Sequence, residues 1–379
     1  FGERNGIWGG DCGRYESGNR WAASQPDLFA ERQDLFEELL EGKAVNAGDE
    51  DTSGKTGTGK TVGIPMALHH LEWGLFWTHI LSDLDYQVIL SPPTDQRLVM
   101  MGVESMTAET CFPVKVLHGH VKHLLDLADY IFLPNIINAP TPNPGEHGQF
   151  CPFVGSSQYI VKAALGISES RLIKPTLFLK GSLEEITGSF RSSLPKGRKP
   201  SWAAVASALE RSWQKYHLFR GRMKERGESL LEETPEEEPV WIVTGRSYNL
   251  YDERCNLRLG KHLAKLGIRA VPMDFLELDR ENLDDFPNMY WGSGSRILRA
   301  ARRISRTPNF HGVHLTNFAC GVDSFLEHFY RQIMGEKPSL ILELDEHSAA
   351  AGLLTRLEAY RNVVRNLQIR NRPPIRAGT

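Results

Sequence analysis

Apolar positions along this chain fall into two alternating patterns. Short apolar runs bounded by proline, glycine or acids recur at TVGIPMA (61–67), YQVILS (86–91), YIFLPNI (130–136) and over 173–179. Such runs read as buried strands. Between them, apolar residues at helical spacing predict helices over 68–84 and 94–105, from Cys111 onward, and after Cys151. A second series begins at VWIVTG (240–245) and continues with IRAVPMD (268–274), GVHLTNF (312–318) and SLILELDE (339–346). Its helices are predicted over 257–266, 295–304, 323–334 and 352–367. The stretch 181–231 is helical throughout in its spacing, and the acidic, proline-flanked EETPEEEP (232–239) closes it, because crowded like charges favour solvated chain.

Strands alternating with helices imply parallel sheets. The expected fold is therefore α/β: two doubly wound parallel-sheet domains with a helical insert, and a cleft between them. The layout is an N-terminal connecting segment (1–60, with one helix over 26–40), a first α/β domain (61–180), the helical insert and acidic linker (181–239), and a second α/β domain (240–370).

Composition narrows the function. Of 379 residues, 41% are hydrophobic and 24% charged, with a net charge of −3, so there is no broad basic surface for nucleic acid. No apolar run approaches the ~20 residues that span a bilayer, and with no leader sequence the expected location is the cytoplasm. The chain opens on Phe1 rather than methionine, and a piece of a longer polypeptide is the expectation.

The stretch GKTGTGKT (54–61) matches the phosphate-loop pattern. That motif needs a buried strand before it and a helix after it. Here the acids Asp49 to Asp51 precede it, and Val62-Gly63-Ile64-Pro65 follows as a short strand stopped by proline. The linker reading outweighs the NTPase reading.

Five cysteines, Cys12, Cys111, Cys151, Cys255 and Cys320, are irregularly spaced with no C-x-x-C pair, which argues against a disulfide framework. Cys111, Cys151 and Cys320 each fall after a strand, where open parallel sheets bind ligands. Cys111 and Cys151 also open helices, where the local positive potential favours thiolate. Three thiolates around a cleft suit an iron–sulfur cluster; singly, each also reads as a small buried hydrophobe. Cys255 suits packing better, and Cys12 stays open. Lys115, His118, His120 and His123 read as a solvated helix face, Asp323 as a helix cap, and Asp345, Glu346 and His347 equally as acid/base groups or as a capping turn.

Several strings together resemble one family. ETCFPVKVLHGHV (109–121), YIFLP (130–134), CPFV (151–154), NLYD (249–252), NMYW (288–291), LTNFACGVDSF (315–325) and LELDEHSAAAGLLTRLEAY (342–360) are similar to the activase-associated region of the 2-hydroxyacyl-CoA dehydratase superfamily, in matching order. Ser247, Val322 and Ala350 depart from it, standing where proline, proline and aspartate are usual. The resemblance implies that Cys111, Cys151 and Cys320 bind a [4Fe–4S] cluster, or a bridged double cubane if two copies pair as a homodimer. It implies an actin/Hsp70-type activase ATPase as partner, fused upstream or separate, and one-electron reduction of a substrate. A non-catalytic module that docks this ATPase is the alternative.

Overall fold

The computed structural model describes residues 25–47, 60–197 and 199–371. Cys12 and residues 54–59 of the glycine-rich stretch lie outside them. The first half contains strands β1 (Ala44–Asn46), β2 (Thr61–Ile64), β3 (Gln87–Leu90), β4 (Tyr130–Phe132), β5 (Asn135–Asn138), β6 (Leu172–Ile173) and β7 (Thr176–Phe178). Its helices are α1 (Leu28–Leu40), α2 (His70–Asp83), α3 (Gln96–Glu104), α4 (Phe112–Leu124), α5 (Pro152–Gly155), α6 (Ser157–Leu165), α7 (Leu183–Ser193) and the long α8 (Trp202–Glu232). The second half contains β8 (Val240–Gly245), α9 (Ser247–Tyr251), α10 (Leu259–Lys265), β9 (Arg269–Pro272), α11 (Gly292–Arg306), β10 (Phe310–Asn317), α12 (Gly321–Met334), β11 (Ser339–Leu344) and α13 (Ala350–Asn371).

All pairings among these strands are parallel. The first sheet has the order β1-β3-β2-β4-β6 and the second β11-β10-β8-β9. The fold is thus the expected α/β arrangement of two parallel-sheet units with helices between their strands. In each sheet the chain winds outward in one direction and then returns to the other side of its first central strand. In the second sheet that reversal falls between β8 and β10, so a crevice opens beyond their carboxyl ends.

Two expected strands are each split in two. YIFLPNI breaks at Pro134 and 173–179 at Pro175, since proline has no N–H to donate to a ladder. The breaks are in register: Leu133 N donates to Ile173 O at 2.9 Å and Asn135 N to Pro175 O at 2.8 Å. Beyond them β5 and β7 form a separate two-stranded sheet. The stretch expected to connect, 1–60, supplies α1, capped by Asp27 accepting from Phe29 N at 3.1 Å, and the edge strand β1. Lys60 and Thr61 lead into β2, so the glycine-rich stretch enters a strand rather than leaving one. That is the reverse of the phosphate-loop order.

Helix α4 departs from expectation. Lys115, His118 and His120, read from sequence as a solvated face, are buried, and the helix is covered on nearly every side. The cause is a close crossing with α3. A Cβ on Gly102 would fall 2.0 Å from Lys115 O, and one on Gly119 would fall 1.9 Å from Leu98 O. Glycine alone permits this approach, which sinks α4 into the protein and fixes its first residue. The buried imidazoles find local partners: His118 Nδ1 meets Val114 O at 2.8 Å, and His120 lies between Ser91 Oγ (2.6 Å) and Thr94 Oγ1 (2.9 Å).

The insert ties the halves together. Tyr216 of α8 stacks on Trp73 of α2 with centroids 4.4 Å apart, while Gly227 of the same helix brings its backbone against Phe275. Direct bonds between the halves include Lys115 Nζ to Glu346 Oε1 (2.6 Å), Arg296 Nη1 to Glu72 Oε1 (2.8 Å) and Gly292 N to Gln149 O (3.0 Å). No helix among the described residues is long and apolar enough to cross a membrane.

Candidate functional site

Cys111, Cys151 and Cys320 each occupy the position immediately before a helix, α4, α5 and α12 respectively. A proline in the first turn follows Cys111 and Cys151, at a point where its missing N–H costs nothing. None of the three makes a side-chain capping bond. Ala319, just before Cys320, has φ of +61°, in the left-handed region. An alanine there is strained, and the bend turns the chain sharply from β10 into α12.

The fold brings these positions into one electrostatic neighbourhood. Cys111 feels the charge of Cys151, Cys320 feels that of Cys111, and Tyr248 feels both Cys111 and Cys320. A cavity of about 380 Å³ is lined by Cys111, Phe153 beside the Cys151 turn, and Phe318 and Ala319 beside Cys320. Asp345, Glu346 and His347 line the same cavity. Cys151 faces a neighbouring cavity of about 310 Å³ together with Arg246, Ser247 and Tyr248.

Thiolate character is not what the isolated helix ends suggest. Burial pushes the Cys111 thiol up to about 11, against the opposing pull of the Val114 N–H and Arg246. Burial likewise raises Cys320 to about 12, with Arg246 opposing it and Asp323 adding to it. The expectation of a helix-favoured thiolate at Cys111 is therefore corrected. Desolvation of the anion outweighs the helix terminus at these depths.

Arg246 is the residue that sequence reasoning missed. It leaves the carboxyl end of β8, is almost fully buried, and donates Nη1 to Cys320 Sγ at 3.3 Å and to Asp323 Oδ2 at 2.5 Å. Asp323 Oδ2 also accepts from Thr316 Oγ1 at 2.6 Å. Asp323 thus sits in the first turn of α12 as a buried ion-pair partner, not as its cap. Burial alone would raise its carboxyl, but Arg246, His314 and the Thr316 bond together hold it below the usual carboxylate value. Arg246 Nη2, Asp323 Oδ1 and His314 Nε2 have no partner among the described residues.

The three candidate acid/base residues differ in setting. Asp345 Oδ1 accepts from His347 N at 3.0 Å and from Ser348 Oγ at 2.8 Å, so it organises a local turn. Glu346 is paired with Lys115, which also holds Glu109 at 2.8 Å. His347 is exposed at the cavity wall. Cys255 is buried in an apolar cluster, its N–H bonded to Asp252 Oδ1 at 3.0 Å. Among the described residues, no group of three or more His, Cys, Asp or Glu side chains is placed to share a single metal ion.

Fold and site together define a two-unit α/β protein in which cysteines from both units open helices, with Cys111 and Cys151 lining two different cavities. The family model described as CoA enzyme activase uncharacterised domain (DUF2229) matches residues 61–276, more than half of the chain, and the chain belongs to that family. An activase- and dehydratase-related role follows from this membership. Cys111 and Cys151 lie within the matched residues and Cys320 beyond them. No curated protein matches. Two similar solved structures are the SBP FpvC from P. aeruginosa in complex with Ni2+ and a serine-to-alanine mutant of a Mn-bound periplasmic metal-binding protein from Candidatus Liberibacter asiaticus. The first has 11% identity and a TM-score of 0.25, over 84% of this chain and 100% of that one. The second has 10% identity and a TM-score of 0.22, over 82% and 98%. At these TM-scores the likeness carries no argument.

Proposed function

We propose that Cys111, Cys151 and Cys320 ligate an iron–sulfur cluster, and that the chain takes single electrons from an ATP-driven activator and delivers them to a substrate. The cluster is [4Fe–4S], or a bridged pair in which two copies of the chain contribute six thiolates. The observation that carries this reading is three helix-opening cysteines from both units within one electrostatic neighbourhood, with Arg246 donating to one of the sulfurs. Thiolate is the usual ligand of such clusters. Ligands of a multi-iron group bind different irons, so they need not converge on one point as ligands of a single ion must.

When bound, the cluster supplies one-electron chemistry at low potential. The protein's own residues set its surroundings. Arg246 withdraws electron density from the Cys320 sulfur, which raises the potential. The raised thiols at Cys111 and Cys320 stay protonated until iron displaces their protons, so loading releases acid. Asp345, Glu346 and His347 at the adjoining cavity are placed to hold or pass a proton.

The activase description of the family supports an ATPase or dehydratase component as partner, and we assign the actin/Hsp70 type, fused or separate, and a cytoplasmic setting. A docking module without a cluster is the second reading. It is favoured by Phe153 and Phe318, 49% and 63% exposed at the mouth of the cavity beside Cys111. Anaerobic purification separates the two. The cluster reading expects brown protein with about four irons per chain for one cubane; colourless protein that still binds the activator supports docking alone.

A further inference from the structure

Helix α8 carries Tyr216 and Arg220 one turn apart on the face that lines the 310 Å³ cavity. Residues four apart share a helix face. Behind this wall, Arg32, Arg220 and Arg296 share only two carboxylates, Glu72 and Asp274. Arg296 takes both, bonding Glu72 Oε1 at 2.8 Å and also Asp274 Oδ1. The Tyr251 hydroxyl donates to Asp274 Oδ2 at 3.1 Å. Arg32 donates to Leu71 O and lies 3.8 Å from the centre of the Tyr251 ring. Arg220 is left with a single ion contact of 3.4 Å, to the Asp274 oxygen that Arg296 already holds.

The other cations on the cavity wall have closer partners. Lys224 meets two carboxylates, Glu277 and Asp279, while Arg299 meets Glu146 and Arg246 meets Asp323. Arg220 therefore keeps guanidinium donors that no carboxylate behind α8 takes up, on a cavity wall where an anion can reach them. The Tyr216 hydroxyl, on the same wall, has no hydrogen-bond partner among the described residues. Trp73 and Trp213 flank it, with ring centres 5.7 Å apart.

We infer that this cavity binds a small organic monocarboxylate, its carboxylate on Arg220 and Tyr216 and its apolar body against Trp73 and Trp213. The guanidinium fork matches a carboxylate in shape and charge. The aromatic wall suits an acid with an apolar body, which inorganic phosphate lacks. The volume lies at the small end of ligand sites, which run from ~300 Å³ upward. A bound acid placed in this way has its far end in a cavity that Cys151 and Arg246 also line. Arg220, Tyr216 and the two tryptophans form this site without iron.

Isothermal titration of the full chain tests it, with butyrate and benzoate as probes, inorganic phosphate as the comparison, and iron-free and iron-loaded protein run in parallel. The expected result is one-to-one binding of a monocarboxylate in both preparations. Arg220→Gln weakens binding about tenfold or more, as loss of a charge-assisted hydrogen bond implies, and Arg220→Lys falls between. Without ligand, Arg220→Gln leaves the thermal midpoint nearly unchanged, because Arg220 gives up only one long ion contact. Three results each overturn the inference: no carboxylate binding at millimolar concentration, phosphate binding as well as carboxylate, or a lowered midpoint for ligand-free Arg220→Gln, which would make Arg220 a structural partner of Asp274.

Discussion

Alanine in place of Cys111, Cys151 or Cys320 removes most of the iron from anaerobically purified protein, whichever of the three is changed, while Cys255→Ala leaves it in place. In the proposed cluster each cysteine holds a different corner of the same group, so loss of one would expose the remainder to solvent and exchange. Effects of such coupled residues do not add, so a double substitution lowers iron little further. The fold itself is expected to tolerate these changes. Each cysteine sits before a helix, Cys111 and Cys151 at the edge of an apolar cluster, and none of the three makes a side-chain cap. Cys255, 4% exposed within an apolar cluster, behaves in the opposite way: its alanine variant loses packing but keeps iron. Iron and acid-labile sulfide per chain, with the visible absorbance, check the set. A variant of Cys111, Cys151 or Cys320 that retains full iron is not a variant of a ligand.

Arg246→Met destabilises the protein by about 3–5 kcal/mol, the usual result of removing one member of a buried ion pair. Arg246 and Asp323 are 4% and 1% exposed in their side chains, and the substitution strands the carboxylate. The pH dependence has a definite sign. In the native protein the Asp323 carboxyl is held below its unfolded value, so the pair's contribution is present at neutral pH and fades as pH falls through that lowered value. Without Arg246, burial dominates and raises the same carboxyl. Acidification then protonates Asp323 and relieves the variant. The stability gap between the two proteins therefore narrows as pH falls from 7 toward 4, as chemical denaturation at a series of pH values will show. A second change, Asp323→Leu, restores much of the lost stability. If the proposed cluster is bound, the reduction potential of that double variant still stays below the unsubstituted protein's, because the Cys320 sulfur has lost its donor.

The second half was legible in sequence almost element by element, and the physical reason is local. VWIVTG and SLILELDE are apolar runs ended by glycine or acids, and they form β8 and β11 within two residues of the expected bounds. The first half was less so. Pro134 and Pro175 sit inside runs that look continuous, and only their shared register shows that two strands break together and continue as a separate sheet. Lys115, His118 and His120 read as solvated because their chemistry is polar; their burial follows from Gly102 meeting Gly119, a contact between two helices. The Arg246–Asp323 pair links residues 77 apart in the chain. One signal for it was available: an arginine after the glycine that ends β8, and an aspartate in the first turn of the helix that follows β10. These two strands are neighbours in a parallel sheet, so their carboxyl ends open onto the same crevice.

Whether sulfurs from residues 111, 151 and 320 hold one iron–sulfur group is decided by diffraction at the iron absorption edge, from crystals of anaerobically purified full chain. The expected result is an anomalous peak cluster in covalent contact with all three sulfurs, with Arg246 against the one from Cys320. Iron-free crystals from iron-replete protein, or iron bound elsewhere while these thiols stand apart and protonated, would contradict it.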